Sequence, residues 1–299
     1  MSGYRQKKIA MINDLSGYGR CSLTVAIPII SAMKVQCCPI PTSILSNHTG
    51  FPVYFFDDYT GRMPGYIEKW KELDLSFDGI VSGFLGSEDQ IGIMIRDFGH
   101  EDTKIIIDPI MGDHGETYAT YTQVMCRRMK ALVSMGSIVT PNLTEACILT
   151  DRPYRKKGWT REGLKEMARD IQAMGPESVV ITGVNQGGYL VNVVAEGERE
   201  VSFPKTIRVG QERPGTGDVF SSVVAAAAVR GWKLEDGVRL AASFVKQCIR
   251  RSEELKIPTA NGVCFEEVMD VLIHAVSSRH ESEKMLTVPD SDSMMLRNH

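Results

Sequence analysis

Short apolar runs alternate with helical periodicity along most of the chain, and this alternation predicts its architecture. Apolar runs bounded by turn residues predict strands over residues 8–12, 35–40, 79–82, 104–107, 138–140 and 179–182. Apolar residues spaced three and four apart predict helices over 22–33, 63–72, 88–98, 121–135, 144–149, 161–174, 218–230, 235–251 and 265–277. Because the strands are almost continuously apolar, we expect an α/β fold whose mainly parallel sheet is covered by helices on both faces.

The remaining segments complete this prediction. A glycine pair at 187 and 188 precedes two further apolar segments, 189–195 and 200–203, which we expect to pair antiparallel near the edge of the sheet. The chain has no internal repeat and no linker-like stretch, so a single domain is predicted over residues 1–279. From residue 280 onward Ser, Asp, Glu and Met recur without periodicity, which predicts a disordered tail over 280–299.

Composition narrows the class of partner. The chain has 43% hydrophobic and 24% charged residues, as an ordinary globular protein does, and its net charge of -3 favours neither nucleic acid nor an anionic membrane. The sequence contains no apolar run typical of a signal peptide or a membrane span. Its seven cysteines include no Cys-x-x-Cys pair, which favours free thiols in a reducing compartment. We therefore expect a cytoplasmic protein that binds small molecules.

The strongest candidate for chemistry is Gly215-Thr216-Gly217-Asp218, which runs directly into a helix of small apolar residues. A helix N terminus offers unpaired backbone N–H groups and partial positive charge, and glycine lets a bulky anion approach the backbone. Asp218 would repel a bystander phosphate, but it can take a proton from an attacking hydroxyl. Taken alone, a Gly-x-Gly-Asp segment more often has an aspartate that only complements the helix dipole, and it is the other motifs of this chain that favour the catalytic interpretation.

Two common phosphate-binding motifs are excluded. Gly17 and Gly19 follow the first strand, as in a dinucleotide fingerprint, but Ser22 occupies the third glycine position and no acidic residue ends the second strand. A P-loop requires Gly-Lys-Ser or Gly-Lys-Thr, whereas the nearest glycine spacing, 158 to 163, is followed by Leu164. The sequence therefore supports neither a Rossmann dehydrogenase nor a P-loop enzyme.

Polar residues follow several predicted strands, at the edge where open parallel sheets bind their ligands. They are Asn13-Asp14, residues 46–49, Asp108, residues 140–142 and Thr182-Gly183. Asn142 and Glu145 have the spacing of a helix capping box, and Asp108 before Pro109 is typical of a turn. The same carboxylates and carboxamide can also hold a hydrated magnesium ion beside phosphates, so both interpretations stay open.

These motifs together resemble those of the ribokinase superfamily, through Gly215-Thr216-Gly217-Asp218 and the segments 140–145 and 108–112. Within it, segment 46–51 (Ser-Asn-His-Thr-Gly-Phe) is similar to the Ser-Asn-His-Thr-Gly-Tyr of vitamin B6 kinases, and segment 82–87 (Ser-Gly-Phe-Leu-Gly-Ser) is similar to their Ser-Gly-Tyr-Leu-Gly-Ser. The resemblance extends over about 9–277. The resemblance implies a ribokinase-like three-layer sandwich and a homodimer. It also implies ATP- and Mg²⁺-dependent phosphorylation of pyridoxal, pyridoxine and pyridoxamine.

The resemblance also assigns the catalytic residues. It implies that Asp218 is the base acting on the 5′-hydroxymethyl group of the substrate. The backbone N–H groups of Gly215, Thr216 and Gly217 are then expected to hold the transferred phosphoryl group. Phosphoryl transfer needs positioning and charge stabilisation more than covalent help, so these groups suit the chemistry.

The nucleotide and metal residues follow from the same resemblance. Asp108 and Glu145 are expected to hold Mg²⁺, largely through water, and the residues expected to contact ATP are Asp113, Tyr118, Asn142, Thr182 and Thr216. Among these, Asp113 and Tyr118 would belong to a loop that covers the triphosphate. Some relatives also need a monovalent cation, and the sequence does not decide that requirement.

The substrate residues implied by the resemblance are Asp14, His48, Thr49 and Phe84, and two of them depart from the B6-kinase pattern. Asp14 replaces a serine and resembles the acidic residue of hydroxymethylpyrimidine kinases, whereas Phe84 replaces a tyrosine and keeps only the ring. A carboxylate at residue 14 would favour a cationic ligand such as pyridoxamine. The alternatives are therefore a hydroxymethylpyrimidine kinase of thiamin synthesis and a non-catalytic B6-vitamer binding protein.

Overall fold

The computed structural model describes residues 5–98, 103–118 and 120–287. Its strands are β1 (Lys8–Tyr18), β2 (Gln36–Asn47), β3 (Phe56–Asp58), β4 (Gly79–Ser82), β5 (Lys104–Ile107), β6 (Gly112–Asp113), β7 (Glu116–Thr117), β8 (Ile138–Val139), β9 (Ser178–Gln186), β10 (Tyr189–Glu196) and β11 (Lys205–Ile207). Its helices are α1 (Ser22–Ala32), α2 (Met63–Glu72), α3 (Glu88–Asp97), α4 (Gln123–Val133), α5 (Leu143–Leu149), α6 (Arg161–Gln172), α7 (Thr216–Val229), α8 (Leu234–Glu254) and α9 (Asp270–Thr287).

The central sheet has the strand order β11-β10-β9-β8-β5-β4-β1-β2-β3. The neighbouring strands from β2 across to β9 pair in parallel. Strands β10, β11 and β3 pair antiparallel and lie at the two ends of this order. The mainly parallel α/β sheet predicted from the sequence is thus confirmed, with β1 in its interior between β2 and β4.

Alternate strand positions feed two hydrophobic cores, one on each face of the sheet. Ile9 and Met11 of β1 pack with buried residues of α1, α7 and α8. Ala10 and Ile12 of the same strand pack with buried residues of α3, α4 and α6. Because both faces are buried, the strands are apolar at nearly every position, and the three-layer sandwich is confirmed.

Strands β1 and β2 run well beyond their predicted ends. The predicted strand 8–12 continues to Tyr18, because the polar side chains Asn13, Asp14 and Ser16 are buried inside the sheet at 1%, 7% and 0% exposure. The β1–β2 register shifts between Asn13 and Leu15, so Asp14 lies in a bulge. The expectation that Asn13 and Asp14 lie just past the end of the strand was therefore wrong, since they lie within it.

The antiparallel edge was predicted correctly for one strand and misplaced for the other. The glycine turn at 187–188 joins β9 to β10, which pairs antiparallel as expected. The partner on the other side is β11, whereas the predicted segment 200–203 contributes only a bridge from Ser202 to Val194. The short strands β3, β6 and β7 were not predicted, because two or three residues carry no periodicity.

The C-terminal helix differs from its prediction at both ends. Helix α9 begins at Asp270 rather than at 265, where a turn of 3₁₀ helix, Glu266–Val268, precedes it. It continues to Thr287, past the domain boundary predicted at residue 279, and residues 288–299 lie outside the described residues. In the part of the chain that the structure describes, no helix is both long and apolar enough to cross a membrane.

Candidate active site

The carboxyl end of β4, the part of β1 that extends beyond it and the N terminus of α7 converge on Asp218, the predicted base. Asp218 lies in the first turn of α7, and its Oδ1 accepts a hydrogen bond of 3.2 Å from Nδ2 of Asn13. Ligands of open α/β sheets bind at this edge, outside the carboxyl ends of the parallel strands. The structure therefore brings the strongest sequence motif to the predicted crevice.

The loop before Asp218 has a backbone that can receive an anion. Gly215 is the N-cap of α7 with a left-handed φ of 77°, and a Cβ there would lie 1.8 Å from the carbonyl oxygen of Arg20. A Cβ on Gly217 would meet no atom of the described residues within 4 Å, so this side of the loop is open. Thr216 turns its hydroxyl to the carbonyl of Arg213, at 3.1 Å. The N–H groups of this first turn have no acceptor within the helix and are available to a ligand.

Asp218 is half-buried among other acidic groups. Burial raises the pKa of this carboxyl to about 6, and the negative charge of Asp14 adds to the rise. The backbone N–H of Ser22 and the Asn13 amide act in the opposite direction, because they favour the ionised carboxylate. Asp218 is therefore mainly ionised at neutral pH, which is the state required of a general base.

Asp14 lies beside Asp218 and is held by two serine hydroxyls. Ser16 Oγ donates to its Oδ2 at 2.8 Å, and Ser22 Oγ donates to its Oδ1 at 2.5 Å. Burial raises the pKa of Asp14, while both hydroxyls and the nearby His48 lower it. The bulge in β1 is what turns this side chain into the crevice, a common use of bulges beside active sites.

Asn13 donates to the Asp218 carboxylate, and Ser22 donates to the carboxylates of both Asp14 and Asp218, but neither was identified as a site residue from the sequence. Asn13 had been placed only among the polar strand ends, and Ser22 only at the position where a dinucleotide fingerprint would have its third glycine. The signal that could have found Asn13 is a polar residue that continues an apolar strand, since a buried amide must be fully hydrogen-bonded. Ser22 has no such local signal.

His48 and Phe84 lie on the side of the crevice nearest Asp14. His48 Nδ1 accepts from the backbone N–H of Gly50 at 3.1 Å, so Nε2 carries the proton and donates to the carbonyl of Ala260 at 2.8 Å. The backbone N–H of Phe84 donates to Asn13 Oδ1 at 2.8 Å, which holds its half-buried ring beside β1. Thr49 is exposed in the turn after β2, and among the described residues it makes no hydrogen bond to another predicted site residue.

Asp108 follows β5 and faces Asp218 across the crevice. Burial raises the pKa of Asp108 to about 7, and the charge of Asp218 adds to the rise. The nearby hydroxyls of Ser221 and Thr140 lower the pKa of Asp108, because they favour its ionised form. When both carboxylates are ionised they repel each other, and burial strengthens this repulsion. A cation between them would therefore be favoured.

Asn142 and Glu145 form the capping box that their spacing indicates. Glu145 N–H donates to Asn142 Oδ1 at 3.0 Å, and Asn142 N–H donates to Glu145 Oε2 at 2.7 Å. Glu145 Oε1 also accepts from Met111 N–H at 3.2 Å. Burial, with the charge of Asp108, raises the pKa of Glu145 well above its usual range. Thr182 pairs with Asn142 in a parallel bridge, so the structure brings the two predicted ATP contacts together.

Asp113 lies in a small hairpin, β6–β7, beside this capping box, and Tyr118 directly follows the hairpin. His114 and Gly115 form its turn with φ values of 54° and 92°, the conformation of a two-residue turn between antiparallel strands. Asn142 Nδ2 donates to the Gly112 carbonyl at 2.8 Å and anchors the hairpin. Burial and the surrounding carboxylates, Glu145 first among them, raise the pKa of Tyr118. Asp113 is exposed, and the hairpin borders the acidic side of the crevice.

The carboxylates suit a hydrated cation better than a directly ligated one. Among the described residues, no group of three or more His, Cys, Asp or Glu side chains could hold a metal ion. The side chains of Asp108 and Glu145 each keep oxygen lone pairs beyond their hydrogen bonds, and their raised pKa values would fall beside a positive charge. This donor set fits Mg²⁺, which keeps most of its waters and binds one or two carboxylates plus phosphates.

Comparisons with known proteins identify the family of this chain. The family model described as phosphomethylpyrimidine kinase matches residues 69–263. A putative phosphomethylpyrimidine kinase from Bacteroides thetaiotaomicron, crystallised in a form with pyridoxal, is 38% identical, with a TM-score of 0.85 over 90% of this chain and 96% of that one. A pyridoxal kinase of Arabidopsis thaliana is 26% identical over 232 residues, 72% of each chain.

A pyridoxal kinase of Leishmania donovani, solved with ADP and pyridoxamine, has the same fold, with a TM-score of 0.81 and 20% identity over 90% of this chain and 96% of that one. The family model covers well over half of the sequence, and the Bacteroides relative aligns along nearly all of it. The chain therefore belongs to the phosphomethylpyrimidine kinase family, within the ribokinase-like kinases.

Proposed function

We propose that this protein is a kinase that transfers the γ-phosphoryl group of ATP to the 5′-hydroxymethyl group of the B6 vitamers pyridoxal, pyridoxine and pyridoxamine. Its relatives named as pyridoxal and pyridoxine kinases support this substrate class. So does the crystal form with pyridoxal of its 38% identical relative. The reaction supplies pyridoxal 5′-phosphate and its analogues from preformed vitamers.

The observation that carries the proposal is the position of Asp218 in the first turn of α7, directly after an open glycine loop. With its pKa at about 6, this carboxylate can accept the proton of the attacking hydroxyl at neutral pH. The backbone N–H groups of Gly215, Thr216 and Gly217 are then in place to stabilise the charge on the transferred phosphoryl group. One loop thus provides both the base and the anion site.

We assign the nucleotide to the acidic side of the crevice. Asp108 and Glu145, mainly through water, would hold Mg²⁺, which neutralises charge on the phosphates when bound. Asn142 and Thr182 are paired at the adjoining strand-to-helix junction, where phosphate oxygens can reach them. The β6–β7 hairpin, which contains Asp113 and is followed by Tyr118, would cover the triphosphate and limit the access of water.

We assign the vitamer to the opposite side, between β1 and the loops after β2 and β4. Phe84 offers an apolar ring face for the pyridine ring, and His48 and Thr49 lie in the loop after β2. Asp14 can accept a hydrogen bond from an amino or hydroxyl substituent. Its negative charge distinguishes pyridoxamine, which carries an amine, from pyridoxal and pyridoxine.

A second candidate substrate is hydroxymethylpyrimidine, whose reaction has the same chemistry. Two observations favour it: the description of the matching family model and the carboxylate of Asp14 in the crevice. The deciding experiment is a coupled assay of ADP release with Mg-ATP, run in parallel on the three vitamers and on hydroxymethylpyrimidine. Turnover of a vitamer well above that of the pyrimidine is expected, and turnover of the pyrimidine alone would reassign the substrate.

The assay needs two controls. Chelation of Mg²⁺ with EDTA is expected to abolish ADP release, and added Mg²⁺ is expected to restore it. The Asp218→Asn variant measures ADP release that does not depend on the proposed base. If vitamers bind but no ADP is released above this background, the protein is a vitamer-binding protein rather than a vitamer kinase.

We also propose that two copies of the chain form a homodimer. The supporting observation is the run Val53, Tyr54, Phe55 and Phe56 beside the edge strand β3, with exposures of 77%, 48%, 64% and 43%. Sedimentation is expected to give a dimer for the native chain and a monomer for Phe55→Lys. Leu73→Lys is the matched control, because Leu73 is a separate exposed apolar residue at the end of α2. A native monomer contradicts the proposal.

The cysteines support a cytoplasmic location for this protein. All seven are free in the structure, and Cys21, Cys147, Cys248 and Cys264 are buried. Unpaired buried thiols are usual in a compartment that keeps cysteine reduced. Fractionation of cells with an antibody to the protein is expected to find it with the cytoplasmic enzymes.

A further inference from the structure

Asn13 joins the two sides of the crevice through three hydrogen bonds. Its Oδ1 accepts from the backbone N–H groups of Asp14 at 3.0 Å and Phe84 at 2.8 Å. Its Nδ2 donates to Asp218 Oδ1 at 3.2 Å. Because two N–H donors face one end of the carboxamide, the orientation of the amide is fixed and the NH₂ group must point to Asp218.

The surrounding backbone is shaped around this amide. Asn13 is 1% exposed, and Gly83 at the end of β4 lies against it. A Cβ on Gly83 would come within 2.4 Å of Asn13 Nδ2, so any larger residue would push the amide from its place. A buried amide whose oxygen accepts two backbone N–H groups, and whose room is left by a glycine, is held in one orientation.

We propose that Asn13 is a positioning residue for the phosphoryl-transfer reaction. It holds the Asp218 carboxylate at a fixed position relative to the backbone of Asp14 and Phe84. The proposal rests on the kinase function proposed above. Asn13 acts through Asp218, since it donates to one oxygen of that carboxylate and does not itself reach the transferred group. It also ties the backbone of the two ring-side residues to the same amide, so that the vitamer and the base keep a constant separation.

Loss of the Asn13 donor is expected to raise the pKa of Asp218, which loss of a merely structural residue would not do. The titratable groups that face Asp218 are Asp14 on β1, Cys21 before α1, Asp108 after β5 and Tyr118 after the hairpin. All of these become negative when they ionise. Without the Asn13 donor, Asp218 would keep this repulsion and lose a hydrogen bond that favours its ionised form, so it would bind its proton more tightly.

Three variants separate the roles of the amide. Asn13→Ala removes both the Nδ2 donor and the Oδ1 acceptor. Asn13→Asp keeps an oxygen that can accept from the two backbone N–H groups but replaces the donor with a carboxylate oxygen. Gly83→Ala removes no polar group but displaces the Asn13 amide. Asn192→Asp is the matched control, because Asn192 is an equally buried amide, 4% exposed, whose Oδ1 accepts from Gly183 N–H at 3.0 Å away from Asp218.

The first measurement is the pH dependence of kcat for vitamer phosphorylation, with KM determined at each pH. For Asn13→Ala and Gly83→Ala we expect the acid limb to move up by about one pH unit, which lowers the ionised fraction of the base about fivefold at pH 6 and hardly at pH 8. KM should change little. Asn192→Asp should keep the native limb, whatever its thermal stability.

The second measurement does not require turnover. Carbon-13 NMR of protein labelled at the aspartate carboxyl carbons, with Asp218 assigned by its loss in Asp218→Asn, follows the titration of that group directly. In Asn13→Ala its midpoint should move up, and in Asn13→Asp the two carboxyls should titrate as a pair whose upper step lies above the native value. Folding of each variant is checked by circular dichroism.

The outcomes are distinguishable. Native midpoints for Asp218 in folded Asn13→Ala and Gly83→Ala would overturn the positioning role, whether or not the enzyme is active. A moved midpoint in a protein that phosphorylates none of the vitamers would leave the Asn13–Asp218 coupling established and overturn the proposed substrate instead. Equal shifts in Asn192→Asp would show a general effect of buried charge and would also count against the proposal.

Discussion

The hydroxyl of Ser22 donates a hydrogen bond to the carboxylate of Asp14, with 2.5 Å between Oγ and Oδ1. Ser22 is the first residue of α1 and has a left-handed φ of 54°, which is unfavourable for any residue with a Cβ. The same residue turns its backbone N–H toward Asp218. One strained residue thus serves both carboxylates of the crevice, as strain at functional sites commonly does.

Replacement of Ser22 by glycine and by alanine separates the strain from the hydroxyl. Both variants lose the hydrogen bond to Asp14, but only glycine adopts a left-handed φ without cost. We expect Ser22→Gly to be more stable than Ser22→Ala by about 1 kcal/mol, and urea unfolding monitored by circular dichroism measures the difference. Equal stability of the two variants would mean that the backbone at residue 22 is not left-handed.

Asp14→Ser is expected to change the ranking of the vitamers while phosphoryl transfer is preserved. Removal of the negative charge should lower kcat/KM for pyridoxamine relative to pyridoxal, because only pyridoxamine carries an amine that the carboxylate can attract. The comparison of kcat/KM for the three vitamers at a single pH tests this expectation. An unchanged ranking would show that Asp14 does not contact the ring substituents.

Asp218→Asn is expected to lower kcat by about 10²–10⁴, the usual contribution of a general base, with vitamer binding largely intact. The amide keeps the size of the side chain but cannot accept the hydroxyl proton. Steady-state kinetics gives kcat, and equilibrium titration with pyridoxal gives the affinity. A variant that keeps nearly full turnover would remove Asp218 from the role of base.

Activity and stability are expected to move in opposite directions as the pH rises through about 6. The folded pKa of Asp218, about 6, lies above its ordinary value of 3.8, so the native state binds the proton more tightly than the unfolded chain. Stability from this group is therefore full below pH 3.8 and is lost as the pH rises through 6, while the ionised base becomes available. Parallel pH series of kcat/KM and of thermal unfolding measure the two trends, and Asp218→Asn should flatten this part of the stability profile. Activity that is independent of pH between 5 and 7 would contradict the assigned base.

Two glycines of the same loop are expected to respond differently to alanine. Gly215→Ala combines a positive φ with a Cβ placed 1.8 Å from the Arg20 carbonyl oxygen, so we expect a loss of stability of about 2 kcal/mol or more. Gly217→Ala meets open space inside the first turn of a helix and should leave stability unchanged or raise it by up to about 1 kcal/mol. Thermal unfolding of the two variants side by side tests this contrast. Equal losses would mean that the loop has a different backbone conformation.

Much of the fold could be predicted from the sequence because its buried strands are short, apolar and separated by amphipathic helices. The strand 79–82 and the helix 63–72 were placed at their observed bounds for this reason. The continuation of β1 through Asn13, Asp14 and Ser16 could not be predicted in the same way. Those polar side chains are stable inside a sheet because they are hydrogen-bonded, Asp14 and Ser16 to each other and Asn13 to the distant Phe84 and Asp218, and period-2 patterns do not report such partners.

The site residues also fall into those that a local motif marks and those that it does not. Asp218, Asp108 and Glu145 were found because motifs mark them locally, and the capping box of Asn142 and Glu145 follows from spacing alone. The roles of Asn13 and Ser22 depend on contacts across the fold, and the β6–β7 hairpin is too short for a sequence signal. Assigned roles for all of these residues remain predictions that the variants above can test.

The Asn13–Asp218 hydrogen bond joins residues that are 205 positions apart in the chain. A ribosome therefore finishes the interior strand of the sheet long before it makes the helix that completes the crevice. Until α7 docks, the Nδ2 group of Asn13 lacks its Asp218 partner, although its Oδ1 partners, Asp14 and Phe84, have already been made. A chain interrupted before residue 215 therefore contains the positioning amide but has neither the base nor the glycine loop.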